Sequence, residues 1–407
     1  MKLSKLFAVL VTALAVPAAM AGVYPQCPAD VVSSGSNIVD PVSGLTMRVF
    51  TPLGSNRKVC LHVAAGDGWM VLGNGAQTYG FGFSAVKSTD DQVMIDGTSN
   101  AKFPAPTLGF QEGDEVWLSL TNVGMIHRPD LFDSHSVHWH GYPNASTIFD
   151  GVPQASVTIQ MGSTFTYYYK VNDPGTYMWH CHVESTEHME MGMLGMLSVS
   201  PKQNGSAKTN DGKTFSKFAY NDGDGSTGFD KEFTLQLGGV DSNFHELHDL
   251  VQPLPFLELK ADFTQINGRG YPFTTVETQA DMPKADNSPE LSQQLHSVLR
   301  ANAGDRVLLR LSNLSVDAYY TLTALGLPMR VVGQGAMQAR GPSGLAGDSW
   351  SHGTSSVTLG GGDGVDLMID TRGVLPGTYY LYTTNLNFLS NGAGEDRGGL
   401  MTTFVLQ

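Results

Sequence analysis

Residues 113–122 read GDEVWLSLTN, and residues 304–313 read GDRVLLRLSN. Each opens on a Gly-Asp turn and then alternates, with Val116, Leu118 and Leu120 apolar in the first stretch and Val307, Leu309 and Leu311 in the second. A strand points successive side chains to opposite faces, so each stretch predicts a half-buried β-strand. The echo extends outward in the same order: SVT at 156–158 returns at 356–358, and PGTY at 174–177 returns at 376–379. Such turn phrases are individually common, but their shared order points to a duplicated β unit. The expected architecture is all-β, with one β-sandwich domain over 22–200 and a second over 231–407. The polar, Gly-rich stretch 201–230 is expected to act as the linker.

Composition agrees. The 407 residues include 47 glycines and 20 prolines, 41% hydrophobic and only 15% charged content, which fits short strands and turns and excludes a disordered chain. Acidic residues outnumber basic ones, 38 against 24, for a formal charge of -14, so nucleic acid and anionic membrane are disfavoured as partners. Residues 1–21, MKLSKLFAVLVTALAVPAAMA, combine two lysines, an apolar run and a small-x-small ending. That is the pattern of a secretory signal peptide, with cleavage expected after Ala21 and a periplasmic or secreted product. No later stretch is apolar for long enough to span a membrane. In an oxidising compartment Cys27 and Cys60 can pair, which leaves Cys181 as an odd thiol in need of its own explanation.

The neighbours of Cys181 supply that explanation. HSVHWHG places His135, His138 and His140 together, and GTYMWHCHVESTEHMEMGM places His180, Cys181, His182, His188 and Met193. On a strand His138 and His140 share a face, as do His180 and His182, so two neighbouring strands give a four-imidazole edge. Cys181 points the other way and can serve a second metal. His135, Cys181, His188 and Met193 form the two-imidazole, thiolate and weak thioether set of a blue-copper centre. Met189, Met191 and Met196 read as packing residues.

HSVHWHG and the H-C-H followed by His and Met resemble the copper-binding motifs of multicopper oxidases, with a Cys-to-His loop longer than usual and similar to that of copper nitrite reductases. The resemblance implies two Greek-key, cupredoxin-like domains. It implies type 1 copper at His135, Cys181 and His188 with Met193 axial, type 2 copper at His138, and type 3 copper at His140, His180 and His182. FDGVP at 149–153 resembles the acidic segment of laccases, making Asp150 a candidate proton relay.

The second copy departs from that pattern. Aligning the PGTY phrases sets His180, Cys181 and His182 against Tyr382, Thr383 and Thr384, and aligning Gly141 on Gly326 sets His138 and His140 against Thr323 and Leu325. It resembles the copper-free middle domain of three-domain oxidases, including INGRGYP at 266–272. His245 and His248, three apart in FHELH, read as a turn or short surface helix. The family's trinuclear cluster takes twice the imidazoles that this edge offers, so a homo-oligomer is expected. The expected function is one-electron oxidation of a small-molecule or metal-ion reductant with oxygen as acceptor. The alternatives are a mononuclear blue-copper electron carrier and a nitrite-reductase-like enzyme.

Overall fold

The alternation in 115–124 has the expected result: Val116, Leu118 and Leu120 are fully buried in the strand Glu115–Gly124. From Ser119 onward its other face is buried as well, which the pattern did not predict, and polar side chains there satisfy one another. The His62 ring bonds Thr121 at 2.7 Å, and Ser119 meets Thr166 at 2.8 Å. This strand lies parallel to the long strand Lys58–Val71 and antiparallel to Thr164–Lys170. Gln77–Ala85, Thr46–Phe50 and Ser36–Val39 complete a six-stranded sheet.

A four-stranded sheet faces it, in the order Ala105–Gln111, Leu194–Ser200, Gly175–His180 and His138–His140. Trp139 and Trp179 are fully buried between the layers, and Trp139 stacks on Tyr169 with ring centroids 3.7 Å apart. The computed structural model describes residues 27–39, 45–86, 92–143, 145–277, 296–341, 343, 349–392 and 398–407. The expected signal peptide at 1–21 lies outside the described residues. Cys27 and Cys60 are joined as a disulfide, which ties the first described residue to the sheet.

The second sandwich repeats the plan. Arg306–Asn313 pairs parallel with Lys231–Val240 and antiparallel with Asp363–Asp370, as Glu115–Gly124 does with its neighbours. Met401–Leu406 pairs parallel with Leu299–Ala301 and antiparallel with Gly377–Thr383, matching Leu194–Ser200 in the first. Mixed pairing of this kind is the Greek-key cupredoxin arrangement expected from the sequence.

The segment 201–230 is more than a polar connector. It forms a hairpin, Lys208–Asn210 with Lys213–Phe215, and buries Ala219, Tyr220 and Phe229 against Leu308, Val332 and Met368 of the second sandwich. Its glycines hid four aromatic anchors, Phe215, Phe218, Tyr220 and Phe229, all buried. The sandwiches are joined through a buried polar knot. Thr176 donates to Asp366 at 2.5 Å, Tyr220 also donates to Asp366, and the fully buried Arg310 pairs with Asp366 and Glu232.

Candidate metal centre

Cys181 follows directly on the strand Gly175–His180, and its amide donates to the Met193 carbonyl at 3.1 Å. Between them the chain turns through Glu184, in the left-handed region at φ 42°, into the short helix Ser185–Glu190 that presents His188. The Met193 amide closes the loop on the His188 carbonyl at 2.8 Å. His135 arrives from another direction, held to Ile159 by backbone bonds of 3.0 and 2.8 Å. Cys181 Sγ lies 3.9 Å from His135 Nδ1 and 3.3 Å from His188 Nδ1. All three side chains, and that of Met193, are fully buried.

Those donors fit a copper ion. Ligand bonds of about 2.0–2.3 Å bring donor atoms to separations in this range. The set also matches the soft thiolate and imidazole donors that select copper. Burial pushes the Cys181 thiol up to about 11, so a proton remains on sulfur until a cation displaces it. Burial pushes His188 down to about 4 and His135 well below its ordinary range, which leaves both rings neutral and ready to bind.

The opposite face carries the second set. The strand His138–His140 pairs with Gly175–His180 so that His138 stands opposite His180. The His138 Nδ1–H donates to the Asp150 carbonyl at 2.6 Å, and the His180 Nδ1–H donates to the Cys181 carbonyl at 2.7 Å. These bonds select the tautomer in which Nε2 of each ring is unprotonated and can take a metal; His180 Nε2 meanwhile accepts from His140 Nδ1–H at 3.3 Å. Donor atoms of His138, His140 and His180 gather within 4.8 Å of one another. His182 lines the same cavity and stacks on His180 at 5.7 Å, outside that tight group. Burial lowers the His138 and His140 values, and takes His180 to about 3.

The cavity in front of these rings is about 520 Å³, and its far wall is the second sandwich, through Leu314–Tyr319, Gly361 and Gly362. That wall contains no imidazole, in keeping with the Thr323 and Tyr382 substitutions. The Asp150 carboxylate stands 3.5 Å from His138 Nδ1, behind the ring and away from the cavity lining.

Sequence reasoning misplaced His245 and His248. They lie on the helix Ser242–Asp249 but are buried rather than on the surface. His245 Nε2 meets the Glu190 carbonyl at 3.0 Å, and His248 Nε2 meets Glu187 Oε1 at 2.8 Å, so the helix braces the loop that carries His188. Asp241, which caps that helix by accepting from the Phe244 amide, was a readable start signal. The partner loop was not readable. Asp133 was also missed; its Oδ2 lies 4.0 Å from His188 Nε2.

Comparisons with known proteins agree with this geometry. Residues 85–204, which carry every donor above, match the family model described as multicopper oxidase. A multicopper oxidase of Talaromyces pinophilus is 36% identical over 116 residues, 28% of this chain and 17% of that protein. An L-ascorbate oxidase of Cucurbita pepo var. melopepo is 35% identical over 106 residues, 26% of this chain and 18% of that one. The matched part thus spans about a sixth of the length of these curated relatives. Among solved structures, a blue copper oxidase from Nitrosomonas europaea superposes with TM-score 0.61 at 22% identity, covering 86% of each chain. A copper nitrite reductase from the same organism superposes with TM-score 0.55 at 18% identity, covering 86% of this chain and 94% of that one. Both likenesses show the shared two-sandwich fold. Over residues 85–204 the chain is therefore similar to multicopper oxidases, a family whose cofactor is copper.

Proposed function

We propose that the protein is an exported copper-dependent oxidoreductase that takes single electrons from a small reductant and passes them to oxygen. The observation that carries this reading is the run His180–Cys181–His182, in which one strand end serves two donor sets on opposite faces. Copper, when bound, supplies one-electron redox chemistry at both sets. The chain's own part is to hold the thiol and imidazoles in a water-excluded core and to connect them covalently. His135 and His188 flank the sulfur, Met193 is the candidate axial thioether, and His138, His140, His180 and His182 open on the cavity that oxygen would enter. Asp150, behind His138, fixes that ring and is the candidate for returning protons to it.

A phenol or a reduced metal ion fits the reductant's role. Asp133 and Glu184 each approach His188 Nε2 to 4.0 Å, which favours a cation at that edge. Export is supported by the leader pattern of 1–21 and by the Cys27–Cys60 disulfide, which an oxidising compartment preserves. Because the second sandwich adds no imidazole to the cavity, a homo-oligomer whose partner supplies the missing ligands is part of the proposal. The same shortage favours one rival, a mononuclear blue-copper electron carrier; a mononuclear nitrite-reducing site is the other.

Copper count, solution mass and oxygen uptake test the proposal together. More than one copper per chain, an oligomeric mass and oxygen uptake with a generic phenol are expected. A blue protein with one copper per chain and no oxygen uptake overturns it in favour of the carrier. Uptake of nitrite in place of oxygen overturns it in favour of the third reading.

A further inference from the structure

His135, Cys181 and His188 are all fully buried, so an electron from an external reductant has to cross protein to reach them. A row of aromatic rings nevertheless connects His188 to the surface. Phe81 meets the His188 ring edge-on at 5.7 Å between centroids, Tyr79 meets Phe81 at 5.8 Å, and Trp69 meets Tyr79 at 5.9 Å. Tyr79 and Phe81 are two apart on the strand Gln77–Ala85 and share a face, while Trp69 is Tyr79's cross-strand partner on Lys58–Val71. The far end is locked to the metal loop, because the Phe81 amide donates to the Met191 carbonyl at 2.8 Å. The near end is open: Trp69 is 37% exposed, and its indole N–H donates to His127 Nε2 at 3.2 Å.

Packing alone does not explain the polar group at the centre of this row. Asp67 is fully buried, accepts from the Tyr79 hydroxyl at 3.0 Å and from the His127 amide at 2.7 Å through Oδ2, and leaves Oδ1 without a protein partner. Burying a carboxylate with an unpaired oxygen costs stability that a Phe at 79 and an apolar residue at 67 would avoid. Departures from good local packing of this kind concentrate where function demands them.

We propose that Trp69 and Tyr79 form an electron relay that connects the surface to the buried thiolate site, with Asp67 as the proton acceptor for Tyr79. The proposal rests on the reading of Cys181 and its partners as a type 1 copper site. The reductants it suits are flat organic or metallocene donors that can lie against Trp69 but cannot enter the protein. One electron leaves the reductant and one Cu(II) becomes Cu(I). When Tyr79 carries the electron it passes its phenolic proton to Asp67 Oδ2 as it is oxidised and takes it back as it is reduced, so the pair ends unchanged.

Two measurements on the full chain test the relay. In copper-free protein, flash-generated tris(bipyridine)ruthenium(III) withdraws one electron, and transient absorption with EPR reads where the vacancy settles. A tyrosyl signal present in wild type and absent in Tyr79→Phe is expected, with its appearance slowed about tenfold, a barrier change of about 1.4 kcal/mol, in Trp69→Phe. In copper-loaded protein, Trp69→Phe should slow bleaching of the blue band by ferrocenemethanol about tenfold while leaving the band's position and intensity unchanged. An unchanged tyrosyl signal in Tyr79→Phe, or unchanged bleaching in Trp69→Phe, overturns the relay. A wild-type protein that binds copper without a blue band defeats the type 1 reading instead, and the copper-free measurement still judges the relay.

Discussion

The two sandwiches share one hydrogen-bond register and differ in what hangs from it. In the first, His138 stands opposite His180; in the second, Thr323 stands opposite Tyr382, the same two positions after superposing the repeated phrases. The likeness continues one residue further. The Cys181 amide donates to Met193 at 3.1 Å, and the Thr383 amide donates to Leu400 at 3.0 Å. Thr383 is as deeply buried as Cys181. The fold therefore closes this corner equally well with a hydroxyl, and neither the thiol nor the imidazoles are needed to build it. A feature that one copy retains and the other dispenses with belongs to the site rather than to the scaffold.

The sharpest way to break that comparison is to exchange the buried group. Cys181→Ser should abolish the blue absorption of the copper-loaded protein entirely, since the colour arises from the copper–thiolate bond, while Thr383→Ser leaves it unchanged. Absorption spectra and copper analysis of the two variants decide it, and a blue Cys181→Ser protein would remove the basis for a type 1 site. Next in size, His138→Ala should lower oxygen uptake by about 100-fold or more while the blue band persists, and Thr323→Ala should change neither. If both substitutions slow uptake alike, the cavity is not the oxygen site.

The join between the sandwiches offers a third test. Arg310 is fully buried against Asp366, itself 1% exposed, and against Glu232. Arg310→Met strands the Asp366 carboxylate and should cost about 3–5 kcal/mol by urea unfolding, with the copper content of the folded fraction unchanged. Removing the disulfide by Cys27→Ala should cost about 2–4 kcal/mol, and only in the transition of the first sandwich. A loss shared equally by both sandwiches would show that they unfold as one unit.

Much of this was legible in the chain. Period-two alternation in 116–120 and 307–311 gave the paired strands, and the H-x-H spacings gave the metal face, because both depend only on side chains alternating along a strand. What stayed hidden depends on long-range packing. FHELH does not disclose that its helix is buried beneath the His188 loop, since the partners Glu187 and Glu190 are more than fifty residues away in sequence. The strands Lys58–Val71 and Gln77–Ala85 carry Gly66, Gly68, Gly80 and Gly82, which obscure their period. Gly68 and Gly82 are needed where Ala101 and Lys102 cross: a Cβ at Gly82 would come within 2.9 Å of the Lys102 backbone.

The smallest effect concerns His62, which is no metal donor in any reading. It is 5% exposed and bonded to Thr121, and burial takes its value down to about 4. A neutral buried imidazole gains nothing from acid, whereas the unfolded chain takes up a proton near 6.5, so the unfolded state is favoured as pH falls from about 6.5 towards about 4. At one pH unit below the unfolded value the loss is about 1.4 kcal/mol for a single such ring. Urea midpoints of the copper-loaded protein, followed for wild type and His62→Phe between neutral pH and pH 5, measure this directly. The wild-type midpoint should fall with acid more steeply than that of His62→Phe, and parallel slopes would mean that the ring titrates normally in its buried position.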